Sequence, residues 1–191
     1  GITPGTYLDF YEEKIPEIKY VARMSFLNGL VHYQHANSDV IDKGIYTEIV
    51  MADKDFLNMF NYPLIQGNLD DIYANPASII ITETLASKLF GDTNPINKLI
   101  TYDSENKLTV KGIIKDVPEN SSLKFGAIIP INYYKTLNND PDYFSNWYRW
   151  MYETFFLFEE GSEINQVKKK FDQALTEYYI NSQGRDQDYK A

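Results

Sequence analysis

Cysteine is absent from the 191-residue chain, and histidine occurs only twice. The first absence removes structural disulfides, thiolate zinc sites and cysteine nucleophiles, and fits a reducing or an oxidising compartment equally. Basic charge is scarce as well: 18 Lys and Arg against 27 Asp and Glu give a formal net charge of −9. DNA and RNA are therefore poor partners, because binding them needs Lys and Arg to displace counterions. An anionic membrane face would repel the chain for the same reason. No apolar run approaches the ~20 residues that cross a bilayer, and the opening GITPGTYLDF is not a signal peptide. The phosphate-binding and nucleophile-elbow fingerprints GxGxxG, GxxxxGKS/T and GxSxG are missing too.

His32 and His35 lie three apart on a predicted strand, so they face opposite ways and cannot readily share a metal. The acidic neighbours Glu12 and Glu13, Asp70 and Asp71, and Glu159 and Glu160 point apart on a helix or strand and read as solvated faces. DSENK, 103–107, lacks the glycine and terminal glutamate of a calcium loop and reads as a hairpin loop. No catalytic residue, cofactor or metal is expected.

What the chain has in quantity is apolar and aromatic surface: 43% apolar residues, with 16 Tyr and 11 Phe, enough to bury a sizeable core. Leu8, Tyr11 and Ile15 recur at helical spacing before Pro16 ends the pattern. Residues 18–26 alternate as a strand, and Asn28-Gly29 suggests a bulge or turn. Residues 45–53 return as the second strand of a hairpin. Asp53 is placed as the cap of a short helix whose Phe56, Met59 and Phe60 face the core. LDDIYANPA, 69–77, reads as a polar connector. Residues 78–82 are apolar without alternation, hence buried on both faces.

Thr82 is placed to cap the next helix, with Leu85, Ala86, Leu89 and Phe90 as its buried stripe and Gly91 closing it at positive φ. Two strands follow, the second with Leu108, Val110 and Ile113 on one face, then a loop and a short buried strand broken by Pro130. ETFFLFEEG is a strand. The clearest helix, 162–180, is capped by Ser162 and buries Ile164, Val167, Phe171, Ala174, Leu175 and Tyr178. Aromatic residues crowd 147–155, and Trp147, Tyr148 and Trp150 form the candidate partner contact. The short-range mixture of elements argues for an α+β chain with small sheets, not a doubly wound parallel sheet.

Three stretches, FLNMFNYPLIQGN, PASIIITETLASKLFGDTNPINKLITY and KLTVKGIIKDVPENSSLKFGAIIPI, carry a resemblance. They resemble the periplasmic core domain of MacB/FtsX-type ABC transporter permeases, most of all the Bacteroidetes branch. The matching positions are Thr82, Glu83, Ala86, Phe90, Gly91, Pro95, Ile96 and Lys98, then Val110, Gly112, Ile113, Asp116, Pro118, Asn120 and Ser121. Asn97 departs from the glycine usual in the family, but Asn tolerates a left-handed conformation. The resemblance covers about residues 1–180, and its motif is structural: Thr82, Glu83, Gly91, Pro95, Gly112 and Pro118 supply turns, caps and close packing.

The resemblance implies a two-lobed α+β fold. A porter-like subdomain would come from 1–67 plus 139–191, and an inserted Sabre-like subdomain from 68–138. It further implies a non-catalytic periplasmic domain of an inner-membrane permease, with both chain ends returning to the membrane. The implied partners are a cytoplasmic ABC ATPase, a second permease copy, and a periplasmic adaptor or substrate. A stand-alone peptide- or glycan-binding module using the aromatic patch, and an enzyme with dispersed carboxylates, are the competing readings. Because membrane helices and ATPases would hold the dimer in such permeases, the isolated chain is expected to sediment as a monomer or weak dimer. A tight dimer well below micromolar concentration would contradict this.

Overall fold

The computed structural model describes residues 2–3, 7–33, 44–103, 105–145 and 152–188, with side chains from 11–33, 44–103, 105–144 and 152–177. The strands are β1 Ile2–Thr3, β2 Ile18–His32, β3 Ile45–Ala52, β4 Leu64–Gly67, β5 Ser78–Thr82, β6 Leu99–Tyr102, β7 Asn106–Ile114, β8 Ala127–Pro130 and β9 Tyr152–Phe158. The helices are α1 Tyr7–Lys14, α2 Phe56–Met59, α3 Leu69–Ala74, α4 Glu83–Phe90, α5 Tyr133–Leu137 and α6 Ile164–Asp188, with a 3-10 turn at Tyr143–Ser145.

Every residue of β5 is buried because the strand lies between two neighbours, parallel to β7 and antiparallel to β8. Ile79 and Ile81 enter a core with Leu85, Leu89 and Phe90 of α4. Ile80 points the other way, into a core with Phe56, Leu57, Ile72 and Phe125. Period-two geometry thus divides one apolar run between two cores.

The α+β class holds, but the small sheets do not. Among the described residues nine strands share one mixed sheet, eight of them in the order β1-β9-β2-β3-β8-β5-β7-β4. β6 pairs with β7 and also with the end of β2, so the path β2-β3-β8-β5-β7-β6 returns to β2. The joints between the local hairpins are the long-range pairings β3 with β8 and β5 with β7, which no local pattern reveals. Strands from 1–67 plus 139–191 and from 68–138 therefore lie in the same sheet.

Several local expectations need correction. β2 runs unbroken through Asn28 and Gly29, which pair with Glu48 and Thr47. The glycine serves a close approach instead: a β-carbon there would lie 2.4 Å from the Tyr102 ring. LDDIYANPA contains α3, capped by Asn68, whose Oδ1 accepts from the N–H groups of Asp70 and Asp71. Ser162 does not cap α6; its hydroxyl donates back to the Glu159 carbonyl at 2.6 Å. Ile164 is 64% exposed, whereas Val167 and Ala174 are buried. Tyr178, His35 and residues 36–43, which link the two strands of the expected hairpin, lie outside the described side chains.

Asp53 does not cap α2, which starts at Phe56 without a side-chain cap. Its carboxylate is engaged by Arg23: the Arg23 N–H and Nε donate to Oδ2 at 2.8 Å each, and Nη2 donates to Oδ1 at 2.9 Å. The guanidinium lies 4.6 Å from the Phe144 ring centre and 6.0 Å from that of Tyr152. Tyr73 of α3 donates to the Asp53 carbonyl at 3.1 Å, and burial, then Asp53 and Asp55, push its phenol far up. Side-chain exposure at this pair is 11% for Arg23 and 20% for Asp53, so removing one partner strands a largely desolvated charge. Asp53→Ala is expected to cost about 2–4 kcal/mol, read as a lower urea midpoint. A wild-type midpoint would show that the pair is not a clamp.

Candidate functional site

The positions of the motif gather around α4 and the strand beside it. The Leu85 N–H donates to Thr82 Oγ1 at 3.3 Å, capping the helix. Asp116, after β7, completes the cap from a different segment: the Thr84 N–H donates to Oδ1 at 2.9 Å and the Thr84 hydroxyl to Oδ2 at 2.7 Å. Burial pushes the Asp116 carboxyl up, but the bonds from Thr84 and Thr82 outweigh it and hold the group below its ordinary value. The sequence marks Asp116 only as a matching position; an acidic residue two before Pro118 carries no local sign of this role.

Gly91 follows the helix at φ +57°, ψ −124°, a combination that essentially only glycine adopts. Pro95 is buried, and its carbonyl accepts from the Lys98 N–H at 3.0 Å. Between them Asn97 takes φ +65°, and its side-chain oxygen accepts from Lys111 Nζ at 2.7 Å. On β7, Lys111 is an extra residue between the pairs Ile79↔Val110 and Ile80↔Gly112. The bulge brings Ile113 to the side of α4 and Gly112 under Ile72, where a β-carbon would lie 2.9 Å from Cδ1. The Pro118 carbonyl accepts from the Ser121 N–H and from Lys124 Nζ. Trp147, Tyr148 and Trp150 lie outside the described residues.

Two grooves flank α4. One, of about 440 Å³, runs between the start of β3 and the first turn of the helix, with Tyr46, Thr84, Lys88, Asp116 and Lys124 on its walls. The other, of about 230 Å³, lies between β4 and the opposite side of the helix, where Ile65, Glu83, Ala86, Ser87 and Ile113 meet. Among the described residues, no group of three or more His, Asp and Glu is placed to hold a metal.

The chain ends form a second focus, at the other margin of the sheet. Tyr11 and Ile15 of the N-terminal segment pack on Val167 and Ala174 of α6 and on Phe156 and Phe158 of β9. Tyr11 and Phe171 rings are 4.8 Å apart, and Phe156 and Phe171 5.0 Å. Lys14 pairs with Glu177 at 3.0 Å, and Lys170 with Glu17. The bond from Lys170 lowers the Glu17 carboxyl, and the bond to Glu177 raises the Lys14 ammonium. No helix among the described residues is long and apolar enough to cross a membrane.

Comparison with known proteins follows the same outline. The model of the MacB-like periplasmic core domain family matches residues 2–174. Among solved structures, a domain of an inferred permease protein from Porphyromonas gingivalis superposes with TM-score 0.74 at 21% identity, covering 92% of this chain and 71% of the other. The periplasmic region of MacB from Actinobacillus actinomycetemcomitans gives TM-score 0.64 at 15% identity, with coverage of 93% and 74%. The extracellular domain of the noncanonic ABC-type transporter YknZ from Gram-positive bacteria gives 0.58 at 15%, with coverage of 85% and 76%. At these identities the structures speak for the fold. Comparison with curated proteins gives no match.

Two outcomes are expected from the α4 geometry. Gly91→Val should destabilise the chain by about 1–3 kcal/mol through backbone strain alone, since a β-carbon at this position meets nothing within 4 Å; an unchanged melting temperature would refute it. The second concerns pH. A carboxyl held low in the folded state contributes stability that is complete above the unfolded value, about pH 4, and is lost as pH falls through the lower folded value. Wild type and Asp116→Asn should therefore differ in urea midpoint near neutral pH and converge in acid. A constant difference across that range would contradict the assignment.

Proposed function

Because the chain belongs to the family of MacB-like periplasmic core domains, and so is a periplasmic domain of a MacB/FtsX-like ABC transporter permease, we propose that it carries no chemistry and works by transmitting movement. In this reading a cytoplasmic ATPase drives the membrane segments to which the chain ends lead, and the domain passes the displacement to an extracytoplasmic adaptor or substrate. A second permease copy completes the assembly.

The observation that carries the proposal is the placement of the two foci on one sheet. α1 and α6 clasp β2 and β9 at one margin, while the α4 motif sits on β5 and β7 towards the other. Backbone ladders run without interruption between them through β3 and β8. A hydrogen-bonded sheet with close-packed cores on both faces resists shear, so a push at one margin arrives at the other as a rigid displacement. The division into a porter-like part, 1–67 plus 139–191, and an inserted Sabre-like part, 68–138, belongs to the same proposal. It separates the end that receives the movement from the end that delivers it.

The test is made in the complete permease with its ATPase. Phe171→Ala with Val167→Ala unpacks α6 from α1 at a local cost of about 2–4 kcal/mol. Transport per ATP hydrolysed should fall, while ATP hydrolysis and membrane insertion persist. Transport unchanged by the double substitution would defeat the coupling reading.

A further inference from the structure

One face of the β2–β3 hairpin is covered along only half its length. Ala22 and Met24 of β2 and Val50 and Ala52 of β3 lie in a core with Phe56 and Leu57 of α2. Beyond them the same face continues through Phe26, Asn28 and Leu30 on β2 and through Glu48 and Tyr46 on β3, because side chains two apart share a face. Phe26 is 47% exposed and Tyr46 66%. A single exposed apolar side chain needs no explanation; two aromatic rings about one carboxylate call for one.

Glu48 is the centre of the arrangement. Its carbonyl is turned away from β2 and accepts from the Gly126 N–H at 2.9 Å. Asn28 and Glu48, which stand opposite each other, are therefore a non-hydrogen-bonded pair, the kind whose side chains lie closest. Tyr46 is the neighbour along the strand and Phe26 the neighbour on the diagonal, each about 7 Å away. Among the described residues the Glu48 carboxylate has neither a hydrogen bond nor an ion pair. A groove of about 380 Å³ opens beside it, with Phe26, Asn28 and Glu48 on one side and Ser122 and Lys124 on the other. Lys124 does not neutralise Glu48. Its Nζ donates to the carbonyls of Pro118 and Glu119, at 3.1 and 2.6 Å, and is held within its own loop.

We propose that this face binds an arginine side chain presented by an extracytoplasmic protein partner, with the guanidinium paired to Glu48 and set between the rings of Phe26 and Tyr46. A guanidinium answers both features of the site. Its edge donates two parallel bonds to a carboxylate, and its faces stack on aromatic rings. It also gives up water more readily than an ammonium. The amide oxygen of Asn28 is a further acceptor on the same face. A net charge of −9 draws a basic segment towards the domain and repels an acidic one. An uncharged sugar would stack on the same rings but would leave the carboxylate without its counter-charge. The inference rests on the extracytoplasmic placement of the domain but not on its role in coupling.

The 191-residue chain, labelled with 15N, is titrated with acetyl-Leu-Arg-Leu-amide and with the same peptide carrying citrulline, which keeps the shape of arginine without its charge. The arginine peptide should shift the amides of Phe26, Asn28, Tyr46 and Glu48, and the citrulline peptide should bind about tenfold more weakly. Glu48→Gln should weaken binding of the arginine peptide by about tenfold, and Phe26→Ala by about three- to fivefold, both without loss of melting temperature. No shift at millimolar peptide, equal binding of the two peptides, shifts confined to other surfaces, or unaltered binding to Glu48→Gln would each overturn the proposal. Shifts of the same amides on concentrating the chain alone would overturn it too, by making a second copy the occupant. The α6 variants that test coupling should bind the peptide as wild type does, so the two readings fail separately.

Discussion

A guanidinium and a carboxylate meet at the open end of the β2–β3 hairpin, and much of the architecture is arranged to make that meeting affordable. Arg23 sits in an otherwise apolar stretch of β2, between Ala22 and Met24, which are fully buried. An unpaired charge there would be prohibitive. Three donors from Arg23 converge on Asp53, two aromatic rings cover the guanidinium, and α3 is tethered through Tyr73. The neighbouring Ser25 reaches Tyr134 of α5 at 3.0 Å. Hairpin, α3, α5, the 3-10 turn and β9 are thereby fixed to one point. A misplaced element would leave a polar group without its partner, so the cluster selects one arrangement of the surrounding parts.

From that point the two cores and the clasp of chain ends are reached along the sheet. β2 is the common member: it pairs with β9 under α1 and α6, with β3 along the hairpin, and at its end with β6. The crossing with β6 is close. Gly29 faces the Tyr102 ring, the Leu30 N–H donates to Asp103 Oδ1 at 3.1 Å, and the Asp103 N–H donates to the Leu30 carbonyl at 3.0 Å. Burial, reinforced by Asp103, pushes the Tyr102 phenol up to about 12, as expected of a hydroxyl sealed beside a carboxylate. The ring of strands is closed by this contact and by no covalent link.

Local chemistry was legible in the residues, and long-range partnership was not. The helix at 83–90, its Thr82 cap, the positive φ at Gly91 and the doubly buried strand 78–82 follow from propensity and period, because each depends on residues within one turn or one strand. Asp53 reads as a cap because it is a carboxylate before an apolar helix, while its partner lies 30 residues away. The lone arginine inside YVARMSF was the available hint, since a charge in an apolar strand implies a counter-charge. The bulge at Lys111 and the exposed bulge at Ile65 arise from mismatched registers between strands, and register is a property of pairs, not of either sequence. α3 is hidden in the sequence because two aspartates and a tyrosine read as loop, although they follow an asparagine that caps them.

The position of β2 also bears on the order in which the chain can assemble. Its hairpin partner β3 is near in sequence, but Ile18 pairs with Phe158, so one edge of β2 stays unsatisfied until almost the whole domain has been made. Such non-local closure is slow, because loop entropy is lost before the contacts reward it. In the interval Val21, Ala22 and Met24, all buried at the end, would be exposed on an open strand edge, the condition under which chains pair with the wrong neighbour. A tether that holds residues near Tyr11 close to those near Phe171 would shorten that search. Attachment of both ends to a membrane, as the proposed function has it, would provide such a tether.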